Sequence, residues 1–114
     1  MAQVPQKVMD VAHAFVNSIG KEIPIQKAIL FGSFAKGNSH PDSDVDLAIF
    51  SDYFEGKTRV ESIAFLLNKA MSYDMDLEPV AFTNKEYEER LGIVAEIIDT
   101  GVEIPIRPNG PKGA

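Results

Sequence analysis

Two aspartates, Asp44 and Asp46, stand two residues apart in a stretch where they alternate with Val45, Leu47 and Ile49. On a strand that spacing projects both carboxylates from one face, roughly 6.6 Å apart along the chain, while Val45 and Leu47 anchor the opposite face. At neutral pH such a pair repels itself unless a cation sits between its members. Mg²⁺, with oxygen ligands and substrate phosphates, is the economical answer. Upstream, Gly32-Ser33 directly follows the apolar run Lys27-Ala28-Ile29-Leu30-Phe31. A Gly-Ser turn bends the backbone tightly and aims amide N–H groups and a hydroxyl at an incoming anion. Each feature alone has an ordinary explanation, since Gly and Ser are common turn residues and acidic pairs decorate exposed strand edges. Their combination is more specific. A short loop holding Gly37 separates them, and both border strands able to lie side by side, which places a phosphate cradle beside a metal pair.

The elements that must position these groups follow from periodicity. From Val4 to Ile19, the apolar residues Val8, Val11, Ala12, Phe15 and Ile19 fall at helical spacing, with Pro5 suited to a first turn and Gly20 to the end. Lys27 to Phe31 and Asp44 to Phe50 read as strands. Val60, Ile63, Ala64, Leu67, Ala70 and Met71 define a second long helix, and Asp76 to Phe82 a third strand. Thr83 with Glu86 three residues later is a capping-box signature. It opens one last helix whose apolar face is Tyr87, Leu91, Val94, Ala95 and Ile98, stopped by Gly101. Val102 to Ile106 adds an edge strand that Pro105 weakens, and Pro108 to Ala114 has the composition of a loose tail. The order describes an α/β (α+β) domain over residues 1–107 with a 108–114 tail and a sheet of three to four strands.

Composition narrows the chemistry. The chain has 114 residues, no cysteine, 11 basic and 17 acidic residues, and a net charge of −6. Thiol nucleophiles, disulfides and thiolate metal sites are excluded, and with only His13 and His40 as imidazoles a zinc centre is not expected. His40 reads as a solvated loop residue and His13 as structural or exposed. Tyr53, Tyr73 and Tyr87 read as packing residues. The acidic balance and the lack of a basic cluster argue against non-specific nucleic-acid binding. No apolar run reaches a membrane span, and Met1 to Gln6 lacks a secretory signal's basic start and apolar centre, so the expected location is cytoplasmic.

The string GSFAKGNSHPDSDVDLAIF, residues 32–50, resembles the core motif of the minimal nucleotidyltransferases, members of the DNA polymerase beta-like nucleotidyltransferase superfamily. The order of elements resembles that family from about Val4 to Ile104. The resemblance implies a nucleotidyltransferase fold and transfer of a nucleoside monophosphate, AMP from ATP, to an acceptor hydroxyl. It implies two Mg²⁺ ions on Asp44 and Asp46 and a third carboxylate from the next strand. Glu78 is preferred for that role, with Asp76 the fallback, within Met75-Asp76-Leu77-Glu78-Pro79. Gly32, Ser33, Lys36 and Gly37 would bind the nucleotide. Lys36 stands where the family often has Arg; it keeps the charge and loses the planar fork.

An acceptor site must come largely from elsewhere, because 114 residues leave no room for an acceptor domain. The resemblance points to a small helical HEPN-type partner in a toxin–antitoxin pair, neutralised by AMP addition, with a homo-oligomer also possible. Two alternatives stay open: a non-catalytic module that blocks a partner sterically, and an enzyme acting on an aminoglycoside-type small molecule.

Overall fold

The computed structural model describes residues 4–37 and 43–106. His40 and the proposed 108–114 tail lie outside them. Helix α1 (Gln6–Gly20) is followed by strand β1 (Lys27–Phe31), the one-turn helix α2 (Ser33–Lys36) and strand β2 (Val45–Phe50). Helix α3 (Arg59–Ala70), strand β3 (Leu77–Phe82), helices α4 (Asn84–Glu89) and α5 (Ile93–Thr100) and strand β4 (Val102–Glu103) follow within the described residues.

The four strands form one mixed sheet in the order β3-β2-β1-β4. β1 pairs antiparallel with β2 and β4, whereas β2 and β3 run parallel, joined by the α3 crossover. Alternation along the strands sorts the core into two layers. Ala28, Leu30, Val45, Leu47, Ile49, Leu77 and Ala81 face the buried stripe of α1, which is Val8, Ala12, Phe15, Val16 and Ile19. Ile29, Ala48, Phe50 and Phe82 face Val94 and Ile97 of α5. The tyrosines do pack: Tyr73 meets Phe15 edge-on, Tyr87 meets Phe50, and Tyr53 meets Phe54.

Pro79 lies in an edge strand and costs no ladder bond. The bonds Val45 N–H to Asp76 O and Ser51 N–H to Phe82 O show that even-numbered residues of β3 face β2. The N–H that Pro79 lacks would point off the sheet, where its loss blunts an exposed edge.

Four expectations need correction. β2 begins at Val45, so Asp44 sits just outside the strand. The last helix is two helices: Arg90 closes α4 with a left-handed φ of 56°, and Gly92 opens α5 with φ 57°, a break that leaves Leu91 70% exposed. α3 buries Ser62, Leu66 and Ala70. Val60, Leu67 and Met71, assigned to its apolar face, are exposed. Its start is fixed by a Thr58–Glu61 capping box, matching the Thr83–Glu86 box that opens α4. The final strand is only two residues long, since Pro105 follows closely, though the Ile104 N–H still donates to the Ala28 carbonyl.

Gly101 joins α5 to β4 with no space for a side chain. A Cβ there would lie 2.3 Å from Ile29 Cγ2, 2.6 Å from the Ile97 carbonyl and 2.8 Å from the Leu30 carbonyl. Two of these atoms are backbone and cannot swing aside. Gly101→Ala should therefore destabilise the fold by roughly 2 kcal/mol or more, read as a lower midpoint in thermal or urea unfolding; an unchanged midpoint would contradict this packing.

Candidate active site

β2 carries Asp46 on the sheet face opposite Val45 and Leu47. In the register, Asp46 pairs with Phe31 on β1 and with Glu78 on β3. Strand pairing thus sets Glu78 directly beside Asp46. Asp44 precedes the strand on the same side, and Asp76 precedes β3, bonded through its carbonyl to the Val45 N–H. Four carboxylates gather at one end of the sheet, beyond the part of that face that α5 covers.

Their electrostatics register the crowding. The Asp46 carboxyl titrates above the ordinary 3.8, first because it is partly buried and then because of the Asp44 charge. The Glu78 carboxyl titrates above 4.5, chiefly through Asp44, with burial, a side-chain hydrogen bond to Asp44 and the charges of Asp46 and Asp76 adding to it. The neighbouring negative charges raise the proton affinity of Asp46 and Glu78 and favour any cation that enters.

Gly32 completes the position of Asp46 from the β1 side. Its backbone adopts φ 78° and ψ −152°, open to glycine and strained for other residues, and a Cβ would lie 2.2 Å from Asp46 Oδ2. The carboxylate occupies the space that a side chain at position 32 would need. Ser33 begins α2 immediately afterward, with the Lys36 N–H donating to the Gly32 carbonyl.

The other two predicted nucleotide-binding residues lie further off. Gly37 ends α2 in a left-handed conformation (φ 80°), with its N–H donating to Ser33 O, so it stands at the far end of the turn from Gly32. Lys36 reaches α5, where its Nζ is 3.5 Å from Glu96 Oε2. Both partners of that pair are largely exposed, so the contact is weak. The sequence reading missed Glu96; its position in the first turn of a separate α5 depends on the break at Gly92.

The donor set suits a hard cation, being entirely carboxylate oxygen with phosphate-binding potential alongside. Among the described residues no group of three or more histidine or acidic side chains stands close enough together to hold a metal ion by itself. Asp44 and Asp46 are the carboxylates of this end that could offer oxygen ligands to such a cation.

Comparison with known proteins fixes the family. The description "Polymerase beta, Nucleotidyltransferase" matches residues 15–108. The chain belongs to this nucleotidyltransferase family. The fold is similar to a crystal structure of a Sulfolobus solfataricus protein assigned as a nucleotidyltransferase, with a TM-score of 0.69 and 15% identity over 92% of this chain and 86% of that one. No curated protein matches the sequence. A nucleotidyltransferase domain of this family performs nucleotidyl transfer, and the acidic end of the sheet is its candidate centre. None of its helices among the described residues is long and apolar enough to cross a membrane.

The raised Asp46 carboxyl has a consequence for stability. A carboxyl with a higher pKa folded than unfolded takes up a proton on folding, so stability falls as pH rises from about 3.8 through the raised value. Asp46→Asn should remove this loss. Its melting temperature should exceed that of wild type by roughly 2–5 °C at neutral pH, and the gap should close toward pH 4. A lower melting temperature at neutral pH would show that the carboxylate is a net stabiliser.

Proposed function

We propose that the chain transfers AMP from ATP to a hydroxyl of a partner protein, a small helical HEPN-type toxin, and so acts as an antitoxin. The observation that carries the reading is the register that sets Asp46 beside Glu78, with Asp44 in contact with Glu78 and Gly32 packed against Asp46. The family membership supplies the reaction class. The partner and the nucleotide rest on the resemblance of residues 32–50 to the minimal nucleotidyltransferases.

In this reading Asp44 and Asp46 hold Mg²⁺, two ions in the full complex, with Glu78 as a third ligand or as the proton acceptor. Bound Mg²⁺ neutralises triphosphate charge and lowers the pKa of the acceptor hydroxyl. The chain's own residues bind and orient. Gly32 and Ser33 offer backbone N–H groups and a hydroxyl to the distal phosphates, Lys36 offsets their charge after leaving Glu96, and Gly37 shapes the turn that carries them. Glu78, whose proton affinity is raised first by the Asp44 charge, is assigned the acceptance of the hydroxyl proton. The location in this reading is the cytoplasm.

Calorimetry should show a non-hydrolysable ATP analogue binding better with Mg²⁺ than with chelator, and the pair Asp44→Asn and Asp46→Asn should abolish the difference. Equal binding by the double variant would sink the metal assignment.

Glu78→Gln should slow transfer by about 100-fold or more while leaving nucleotide binding largely intact, with Asp76→Asn the milder change. The reverse order would give the proton-accepting role to Asp76. Mass spectrometry of a co-purified partner, after incubation with ATP and Mg²⁺, should find added AMP that Asp44→Asn prevents. Neutralisation by the Asp44→Asn protein without an adduct would favour a steric blocking module.

A further inference from the structure

Gly32 approaches Asp46 from the β1 side of β2. On the other side, at the β3 edge, the same carboxylates border an open cleft of about 540 Å³ between the end of α3 and the start of β3. Asp44, Asp76 and Glu78 line one part of it, and Leu67, Met71 and Met75 line another. No basic side chain is among its described lining residues. Met71 is 81% exposed and Leu67 43%, although both are large apolar side chains that folding would ordinarily cover. They are the residues that rotate out when α3 buries Ser62, Leu66 and Ala70.

We propose that this cleft is the acceptor subsite, and that it takes a basic polypeptide segment that seats an apolar side chain on Leu67, Met71 and Met75 and presents its hydroxyl at Glu78. The inference rests on the transfer reaction above and adds the surface and the chemistry of the acceptor. Charge complementarity selects a cationic segment, because the charged lining is wholly acidic and the whole chain carries −6. The apolar shelf selects a polypeptide over a sugar-based polycation, which has no apolar side chain to cover it. Methionine suits such a shelf, since its unbranched side chain adapts to different partners. The placement also suits the reaction, with nucleotide entering beside β1 and acceptor beside β3. The acceptor oxygen bonds to the α-phosphorus of ATP, the bond from that phosphorus to the β-phosphate bridging oxygen breaks, pyrophosphate leaves with the electron pair, and the hydroxyl proton passes to Glu78.

The four methionines, Met1, Met9, Met71 and Met75, provide the readout, because Met71 and Met75 line the cleft and Met9 does not. The full chain, labelled at its methionine methyl groups, is titrated by NMR with two peptide pools of about twelve residues, the length of a three-turn helix. One pool mixes Leu, Phe, Lys and Arg around a central Tyr; the other replaces Lys and Arg with Asp and Glu. The basic pool should shift Met71 and Met75 and spare Met9, and the acidic pool should shift neither. Met71→Asp, at an exposed position, should keep the fold and the affinity for ATP analogue while weakening the Met75 response by about tenfold or more. No shift with the basic pool, equal shifts with both pools, or an unchanged response in Met71→Asp would overturn the proposal. Shifts from neomycin but not from the basic pool would also overturn it and assign the cleft to a small polycation. Peptide binding is read without nucleotide or turnover, so the two readings fail separately. Binding at the cleft without any AMP adduct removes the transfer reading, whereas AMP transfer that cleft variants leave untouched removes the cleft.

Discussion

The pairing of β2 with both β1 and β3 is the constraint on which the acidic end of the sheet depends. Asp46 has Phe31 on one side and Glu78 on the other, fixed by two ladders of different direction. A slip of one residue by β2 or by β3 would turn a carboxylate into the core and an apolar residue out of it. Val45, Leu47 and Leu77 are all buried against the α1 and α3 side, so the hydrophobic layer enforces the register that the carboxylates need. Mutual repulsion among Asp44, Asp46 and Glu78 works against this arrangement, and core packing on the reverse face of the same strands holds it in place.

Close packing then gives the two sides of β2 different characters. On the β1 side, a glycine with positive φ lets backbone lie against Asp46 Oδ2. On the β3 side there is an edge strand, blunted by Pro79, and beyond it an open cleft with an apolar shelf. A parallel β2–β3 pair requires a crossover, and α3 is that crossover. Its last turn therefore ends beside the beginning of β3, next to Glu78, and this brings Met71 within range of the acidic groups.

The exposed ion pair between Lys36 and Glu96 ties the end of α2 to the first turn of α5. It turns Lys36 toward α5, and with both side chains largely in solvent it holds the lysine only weakly. The separate α5 matters here, because a continuous last helix would have carried Glu96 along a different axis.

Local pattern was sufficient for much of this protein. Lys27 to Phe31 reads as a strand from its apolar run alone, the Thr83–Glu86 box is legible because capping is a contact between residues three apart, and alternation places Asp46 opposite Val45 and Leu47. The Gly-Ser and Asp-x-Asp strings carry the family, which the match over residues 15–108 bears out. Other features depended on contacts distant in sequence. Both faces of α3 hold apolar residues, and only packing against β3 selected Ser62, Leu66 and Ala70 for burial, leaving Leu67 and Met71 outside. Arg90 carries no glycine-like signal, yet it adopts the left-handed conformation that closes α4. Whether Glu78 or Asp76 stands beside Asp46 is a matter of strand register, since both lie on one face and no local preference separates them. The β2–β3 ladder decides it, because burying Leu77 opposite Val45 leaves Glu78 opposite Asp46.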